Sequence, residues 1–346
     1  MRVTAVLCVR NEGSFLIEWL AHHRACGVSD FLVFSNDCTD GTDAMLDRLA
    51  ALGWLTHVRN DGPHPEGPQW AALKLADRHP LVRQADWLVV LDIDEFVNIH
   101  VGDHSVAALI SALPDAPAIA LTWRLFGKAG VVGIPDSPVT RAFTLAAPAV
   151  LHWPWRAAMF KTLFRRDAGY GKLGVHRPRN PDPAGLARQR WFDGAGRELP
   201  TAFHTARVFS DLGRDTGSLV QLNHYALGSM EGYLVKSDRG RANRDASAMD
   251  MGYWVERNFS QHEDRSILQL DSDAGRNALL ADAVLGPLHG AAVAWRRARF
   301  DQLMGQESWR SLFGRLLMTP PTRALSPAEA HLVWRHGLAA KLPEGE

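Results

Sequence analysis

The residues with the clearest capacity for chemistry are Asp92, Asp94 and Glu95, in the run Leu91-Asp92-Ile93-Asp94-Glu95-Phe96. Closely spaced carboxylates offer hard oxygen ligands to a divalent cation. The triplet alone is weak evidence. With 26 Asp among 346 residues, roughly two Asp-x-Asp triplets arise by chance, and two are present. The other, Asp271-Ser272-Asp273, reads as part of a surface helix. Context separates them. Asp92 directly follows Trp87-Leu88-Val89-Val90-Leu91, an apolar run that reads as a central strand buried on both faces. Three carboxylates at the end of such a strand repel one another unless a cation compensates them. A divalent cation at Asp92 and Asp94 is therefore the first expectation.

The elements that must position this run alternate in type. Thr4 to Val9 reads as a strand, Phe15 to Cys26 as a helix stopped by Gly27, and Phe31 to Ser35 as a second strand. The turn-rich loop Asn36-Asp37-Cys38-Thr39-Asp40-Gly41-Thr42 follows, with Asp40 placed to cap a helix over about Asp43 to Leu52. A third strand covers about Leu55 to Arg59 and a third helix about Gln69 to His79, ending before Pro80. Ala118 to Phe126 and Met159 to Arg165 are further strands. Residues 127–157 and 167–202, rich in Gly, Pro, Asp and Arg, read as long loops shaping one side of a site. From Met230 the chain reads as mainly helical, and Ala291 to Leu317 as an amphipathic packing helix, with a membrane-surface or dimer contact as the alternative. Alternating strands and helices imply an α/β fold with a mostly parallel central sheet flanked by helices. Ligands of such sheets bind beyond the carboxyl ends of the strands. That rule brings Arg10-Asn11-Glu12, the Asn36 loop and Asp92-Ile93-Asp94 side by side.

Lys+Arg and Asp+Glu both number 38, so the formal net charge is zero. A nucleic-acid partner is not expected, because neutralising phosphates requires a basic excess. No apolar run approaches the roughly 20 residues of a membrane span, and the first residues lack a secretory pattern. Cys8, Cys26 and Cys38 are odd in number and form no C-x-x-C pair. Reduced thiols and a cytoplasmic location, with contact to the inner membrane face as an option, are expected.

Several of these segments together resemble a known group. They are Val9-Arg10-Asn11-Glu12 with Glu18-Trp19-Leu20 and His22-His23, Gly27-Val28, the loop Ser35 to Thr42, and Leu91 to Phe96. Further on come Trp123 with Phe126-Gly127, Lys161 with Arg165, Asn223-His224-Tyr225, Lys236-Ser237 and Arg239-Gly240. In this order and at these intervals the chain is similar to glycosyltransferase family 2-like proteins, in the branch related to glycosyltransferase family 92. The resemblance covers about residues 3–245. It implies a GT-A-type nucleotide-sugar-binding fold with a helical C-terminal extension. The catalytic domain would span 1–230, with a nucleotide-binding half to about residue 125, and the helical region 231–346. It further implies a nucleoside-diphosphate sugar donor, UDP-linked being the first choice, Mn²⁺ or Mg²⁺ as cofactor, and inversion at the anomeric carbon. Many relatives have Asp at the end of the second strand, where this chain has Ser35 followed by Asn36.

The resemblance also distributes roles. Expelling a diphosphate requires stabilisation of its developing charge. Asp94 becomes the direct metal ligand, Asp92 a water-mediated ligand or ribose contact, and His224 the distant third ligand. Lys236, Arg239 and Asn243 share a helical face at i, i+3 and i+7 and suit a diphosphate clamp. Val9, through its backbone, with Asn11 and Glu12, edges the base and ribose; Asn36 and Gln69 are further contacts, and Lys74 a weaker one. A base must take the acceptor proton. Glu95 and His176 are preferred, ahead of Asp136 and Asp182. Trp123, Trp153 and Trp155 are candidates to stack on sugar faces. The acceptor would be a carbohydrate or lipid-linked hydroxyl, as in surface polysaccharide synthesis. Two rivals stand beside this reading. A sugar-1-phosphate nucleotidyltransferase would show a Gly-rich basic signature where this chain has Arg10-Asn11-Glu12-Gly13. A non-catalytic nucleotide- or carbohydrate-binding module would not need Asp92, Asp94 and His224.

Overall fold

Strand β1 (Val3–Val9) sends Val3, Ala5, Leu7 and Val9 into one apolar layer and Val6 into the other. The two-residue period of an extended chain makes this division automatic once helices cover both faces. The computed structural model describes residues 1–186, 189–240 and 250–339. Helix α1 (Gly13–Ala25) follows, then β2 (Asp30–Ser35), α2 (Thr42–Ala51), β3 (Thr56–Arg59), α3 (Pro68–Ala76) and β4 (Trp87–Leu91). Strands β3, β2, β1 and β4 lie side by side, all parallel. All five residues of β4 are buried, as its unbroken apolar run requires. The expected boundaries agree to within a few residues, apart from a short helix at Pro80–Arg83 where a stop was expected.

Beyond β4 the sheet turns antiparallel. The strand Phe160–Arg165 pairs with β4 on one side and with β6 (Ala118–Leu125) on the other. The far end of β6 then pairs with the strand Val220–His224, which runs antiparallel to β5 (Glu95–Ile99). Sequence reading left both β5 and Val220–His224 unassigned. Their register sets His224 opposite Glu95, and the Tyr225 amide donates to the Asp94 carbonyl at 2.9 Å. The stretch 167–202, read as loop, holds two short hairpin pairings, Tyr170–Lys172 with Arg179–Pro181 and Trp191–Asp193 with Glu198–Leu199. The segment Ala291 to Leu317, read as one helix, belongs to two, Leu285–Leu303 and Glu307–Met318, which break around Gly305. The first of them packs on α1, α2 and the helix Met230–Arg239. Among the described residues no single helix is long and apolar enough to cross a membrane.

Candidate functional site

Helix α1 fixes the turn after β4. Trp19 is fully buried and its indole N–H donates to the Glu95 carbonyl at 2.9 Å. The His22 imidazole lies 2.8 Å from the Val97 carbonyl, and His23 accepts from the Val97 amide at 3.3 Å. The residues that carried the resemblance in α1 therefore hold β5 in place rather than touch a ligand. Glu18 does similar work, accepting from the Val139 and Thr140 amides at 2.7 and 3.0 Å.

Each carboxylate after β4 faces a buried lysine. Lys161, on the antiparallel strand next to β4, is wholly buried. Its ammonium donates to Asp92 at 2.9 Å and lies 3.5 Å from Glu95. Lys236, from the helix Met230–Arg239, reaches Asp94 at 2.5 Å. The His224 Nε2 lies 3.6 Å from the same Asp94 oxygen, longer than a hydrogen bond. Burial acts to raise the Asp94 carboxyl, but Lys236 and His224 overcome it and hold it well below the usual carboxylate range. Burial pushes Glu95 up to about 8 against the pull of Lys161. Both lysines gain more from their carboxylates than burial takes away, so their pKa values rise.

Above these groups opens a cavity of about 590 Å³ at the carboxyl ends of β1 and β4. Of the expected ligand-binding residues, Glu12, Gln69, Asp92, Asp94, His176, His224, Lys236 and Arg239 all line it. Gln69 donates to Asp92 at 3.1 Å. Arg239 donates to the Arg10 carbonyl at 2.9 Å and pairs with Glu12. Burial, then repulsion from Arg296 and Arg10, lowers Arg239 to about 9. Such a gathering of cations favours an anion between them.

Other expectations need correction. Val9 does not reach the cavity: it packs in the core and its carbonyl accepts from the Asn36 amide at 3.0 Å. Its neighbours Cys8 and Arg10 line the cavity instead. Asn36 is buried away from it, donating to Asp37 at 2.5 Å. Asn11 has φ 53° and accepts from the Thr39 amide at 2.7 Å, so it ties two loops together in a recess beside Arg239. Ser35 is fully buried against His57 at 2.8 Å, so the end of β2 presents no side chain to the cavity. Lys74 is exposed and paired with Glu66. Asp136 is bound by Arg297, and Asp182 sits on a separate surface. Asn243 lies outside the described residues. The N-cap of α2 is Gly41 and not Asp40, whose carboxylate stands one residue earlier and accepts from the Thr42 amide at 2.9 Å and the Gly13 amide at 3.1 Å. The pair Asp271 and Asp273 is remote, with Asp273 held by Arg141 on the surface.

The two candidate bases separate sharply. Glu95 has no exposed surface; its oxygens accept from the Trp123 indole at 2.6 Å and the Asp92 amide at 2.8 Å. It lies beneath the cavity floor and cannot touch an acceptor there. His176 lines the cavity, and its Nδ1 lies 3.1 Å from the Phe160 carbonyl. A carbonyl only accepts, so Nδ1 carries the proton and Nε2 keeps its lone pair. Burial, reinforced by the Lys161 charge, lowers His176 to about 4. Trp123 and Trp155 also line the cavity, whereas Trp153 packs against Trp334.

Sequence reasoning missed Arg257. It is buried, its guanidinium lies 3.8 Å from the Tyr253 ring centroid, and its Nε has no hydrogen-bond partner among the described residues. Its signal was absent because it stands just past a five-residue helix, Met251–Val255, with no motif around it.

A divalent cation fits part of the expected set. Two bonds of about 2.1 Å span up to ~4.2 Å, so the Asp94 oxygen and His224 Nε2, 3.6 Å apart, are spaced to share one ion once the Lys236 ammonium, which holds that same oxygen, gives way. Asp92 is not brought to it, because Lys161 and Gln69 hold its carboxylate. Among the described residues no three His, Cys, Asp or Glu side chains converge on one point.

The model of glycosyltransferase family 92 matches residues 6–180, half of the chain. The chain belongs to glycosyltransferase family 92. The matched segment includes Glu12, Gln69, Asp92, Asp94, Glu95, Lys161 and His176, while His224, Lys236, Arg239 and Arg257 lie beyond it. A glycosyltransferase family 92 protein of Ricinus communis is 27% identical over 154 residues, covering 40% of this chain and 25% of its own. One of Oryza sativa subsp. japonica is 26% identical over 146 residues, covering 40% and 24%. The chain thus spans about a quarter of the length of these curated relatives. Among solved structures, Staphylococcus aureus TarS 1–349 in complex with UDP is 14% identical, with 48% of this chain and 47% of that chain covered and a TM-score of 0.31. At that level the likeness adds nothing to the geometry.

Proposed function

We propose that this chain transfers a glycosyl group, with inversion, from a nucleoside-diphosphate sugar to a hydroxyl of a carbohydrate or lipid-linked acceptor. The observation that carries this reading is the gathering of Lys236, Arg239, Arg10 and Arg257 around the Asp94–His224 pair in one cavity beyond β1 and β4. The diphosphate lies among these cations, where Arg239 and Arg257 provide forked donors suited to phosphate oxygens. A Mn²⁺ or Mg²⁺ ion on Asp94 and His224 would supply Lewis-acid stabilisation of the leaving diphosphate. Lys161 and Gln69 fix Asp92 facing the cavity, and Trp123, held by Glu95, forms the wall against His224. The acceptor oxygen bonds to the anomeric carbon, the bond from that carbon to the diphosphate oxygen breaks, and the proton passes to His176 Nε2. Trp155 supplies an aromatic face for a sugar ring.

The test is a thermal-shift screen of nucleoside diphosphates and their sugars, UDP first, with Mn²⁺ or EDTA, on wild type and Asp94→Ala. A ligand at a hundred times its Kd stabilises by about 2.7 kcal/mol. One nucleotide should shift wild type in Mn²⁺ and lose most of that shift in EDTA and in Asp94→Ala. No shift with any nucleotide, or an undiminished one in Asp94→Ala, would overturn the assignment.

A further inference from the structure

The wall formed by Glu12, Asp94 and Lys236 has a second cavity behind it, of about 430 Å³. That is the size of a small-ligand site, typically 300–1,000 Å³. Away from the shared wall Phe15, Ile134, Val139, Phe143, Leu280 and Val293 give its lining an apolar stretch, with charged side chains around it. It lies where α1 meets the helix Leu285–Leu303, on the side of Asp94 opposite the nucleotide-side residues Gln69 and Asp92.

Most of the charges on its lining are matched. Asp136 pairs with Arg297, Asp94 with Lys236 and Glu12 with Arg239, while Glu18 takes the Val139 and Thr140 amides. Arg276 and Arg296 have no carboxylate within ion-pair distance among the described residues. Arg296 is only 8% exposed. One of its amino groups donates to the Gly232 carbonyl at 2.9 Å, and its guanidinium lies 4.7 Å from the Phe15 ring centroid. A carbonyl, an aromatic face and the more distant Asp40 carboxylate, itself bonded to the Gly13 and Thr42 amides, leave the buried guanidinium without a counter-charge in contact, and an incompletely compensated buried charge is costly. An apolar chamber with an unmatched buried arginine suits a molecule having both an apolar chain and an acidic group.

We propose that this cavity binds a single-chain amphiphile, its chain between Phe15, Phe143 and Val293 and its anionic head at Arg296. That the amphiphile is the acceptor, presented to Asp94 through the shared wall, rests on the glycosyl-transfer reading; its binding does not. The chemistry is common to lipid phosphates and to fatty acids.

Isothermal titration of the full chain with decyl phosphate, below its micelle-forming concentration, tests this. Decanoate and inorganic phosphate serve as comparisons, on wild type, Val293→Trp and Arg296→Gln. Decyl phosphate should bind one-to-one and at least 100-fold more tightly than inorganic phosphate. Val293→Trp, which fills the chamber from a half-buried position, should weaken it at least tenfold yet keep the wild-type nucleotide shift. Arg296→Gln should weaken decyl phosphate and decanoate alike. Decanoate equal to decyl phosphate points to an acyl chain as the natural ligand, and weaker decanoate to a lipid phosphate. Absence of saturable binding, or undiminished binding in Val293→Trp, overturns the proposal. If the nucleotide shift fails while decyl phosphate binds, the transfer reading falls and the cavity assignment stands.

Discussion

Replacing Lys161 with Met removes the buried ammonium between Asp92 and Glu95. Lys161 and Glu95 have no exposed side chain, whereas 36% of the Asp92 side chain is exposed. Breaking a buried ion pair by deleting one partner costs about 3–5 kcal/mol, because the remaining charge is stranded. Water reaches Asp92 and screens its share, so the lower end, about 3 kcal/mol, applies. With an unfolding entropy of about 2.1 cal/mol/K per residue, a chain of 346 residues should melt roughly 4 °C lower. Glu95 sets the pH dependence. Its pKa rises from 4.5 unfolded to about 8 folded, so its contribution is present below pH 4.5 and lost as the pH climbs through 8. Without Lys161 the Glu95 pKa rises further, and the deficit of Lys161→Met should be larger at pH 8 than at pH 5. Adding Glu95→Gln should recover part of the loss at pH 8, where it replaces an ionised carboxylate, and none at pH 5, because its NH2 group opposes one of the two N–H donors that Glu95 accepts from. Calorimetric melting of the three variants at both pH values decides it. A midpoint within 1 °C of wild type for Lys161→Met, or no recovery in the double variant at pH 8, would refute this electrostatic account of the β4 turn.

Arg239→Gln should raise the KM for donor about 10- to 100-fold, in line with roughly 1.5–3 kcal/mol for a charged hydrogen bond, and should lower the melting temperature as well, because it strands the buried Glu12 carboxylate; steady-state release of nucleoside diphosphate measures the first and calorimetry the second. Burial lowers His22 to about 4 from an unfolded 6.5, so the unfolded chain takes up a proton first as the pH falls. About 3 kcal/mol of stability should be lost between pH 6.5 and 4, and denaturant melts of His22→Asn should show a shallower acid limb. Asp271→Asn with Asp273→Asn should leave transfer unchanged and stability within about 0.5 kcal/mol, because a surface pair such as Asp273–Arg141 contributes little; an activity loss there would move the metal site away from Asp94.

The order of strands and helices through β4 was legible in the sequence because each was written in local terms. Apolar runs of five to seven residues and Gly stops need no distant partner to be read. The run Leu91 to Phe96 showed where the sheet ends in carboxylates, and sheet geometry then indicated which loops share that edge. What compensates those carboxylates was decided by the tertiary structure alone. The strand Phe160–Arg165 enters antiparallel beside β4 and delivers Lys161, and the pairing of Val220–His224 with β5 sets His224 beside Asp94. Burial likewise sorted Glu95 from His176, since Glu95 opens a strand whose five residues are all buried, whereas His176 stands in the bend between Tyr170–Lys172 and Arg179–Pro181 and lines the cavity. Arg257 and Arg296 lie far along the chain from Asp94 and became visible only when folding placed them, buried, at cavity walls, Arg257 beside Glu256 and Arg296 with no carboxylate in contact. A sequence states which charges exist. Which of them meet, and at what dielectric, depends on contacts between residues 69 to 227 positions apart, and no local pattern encodes those distances.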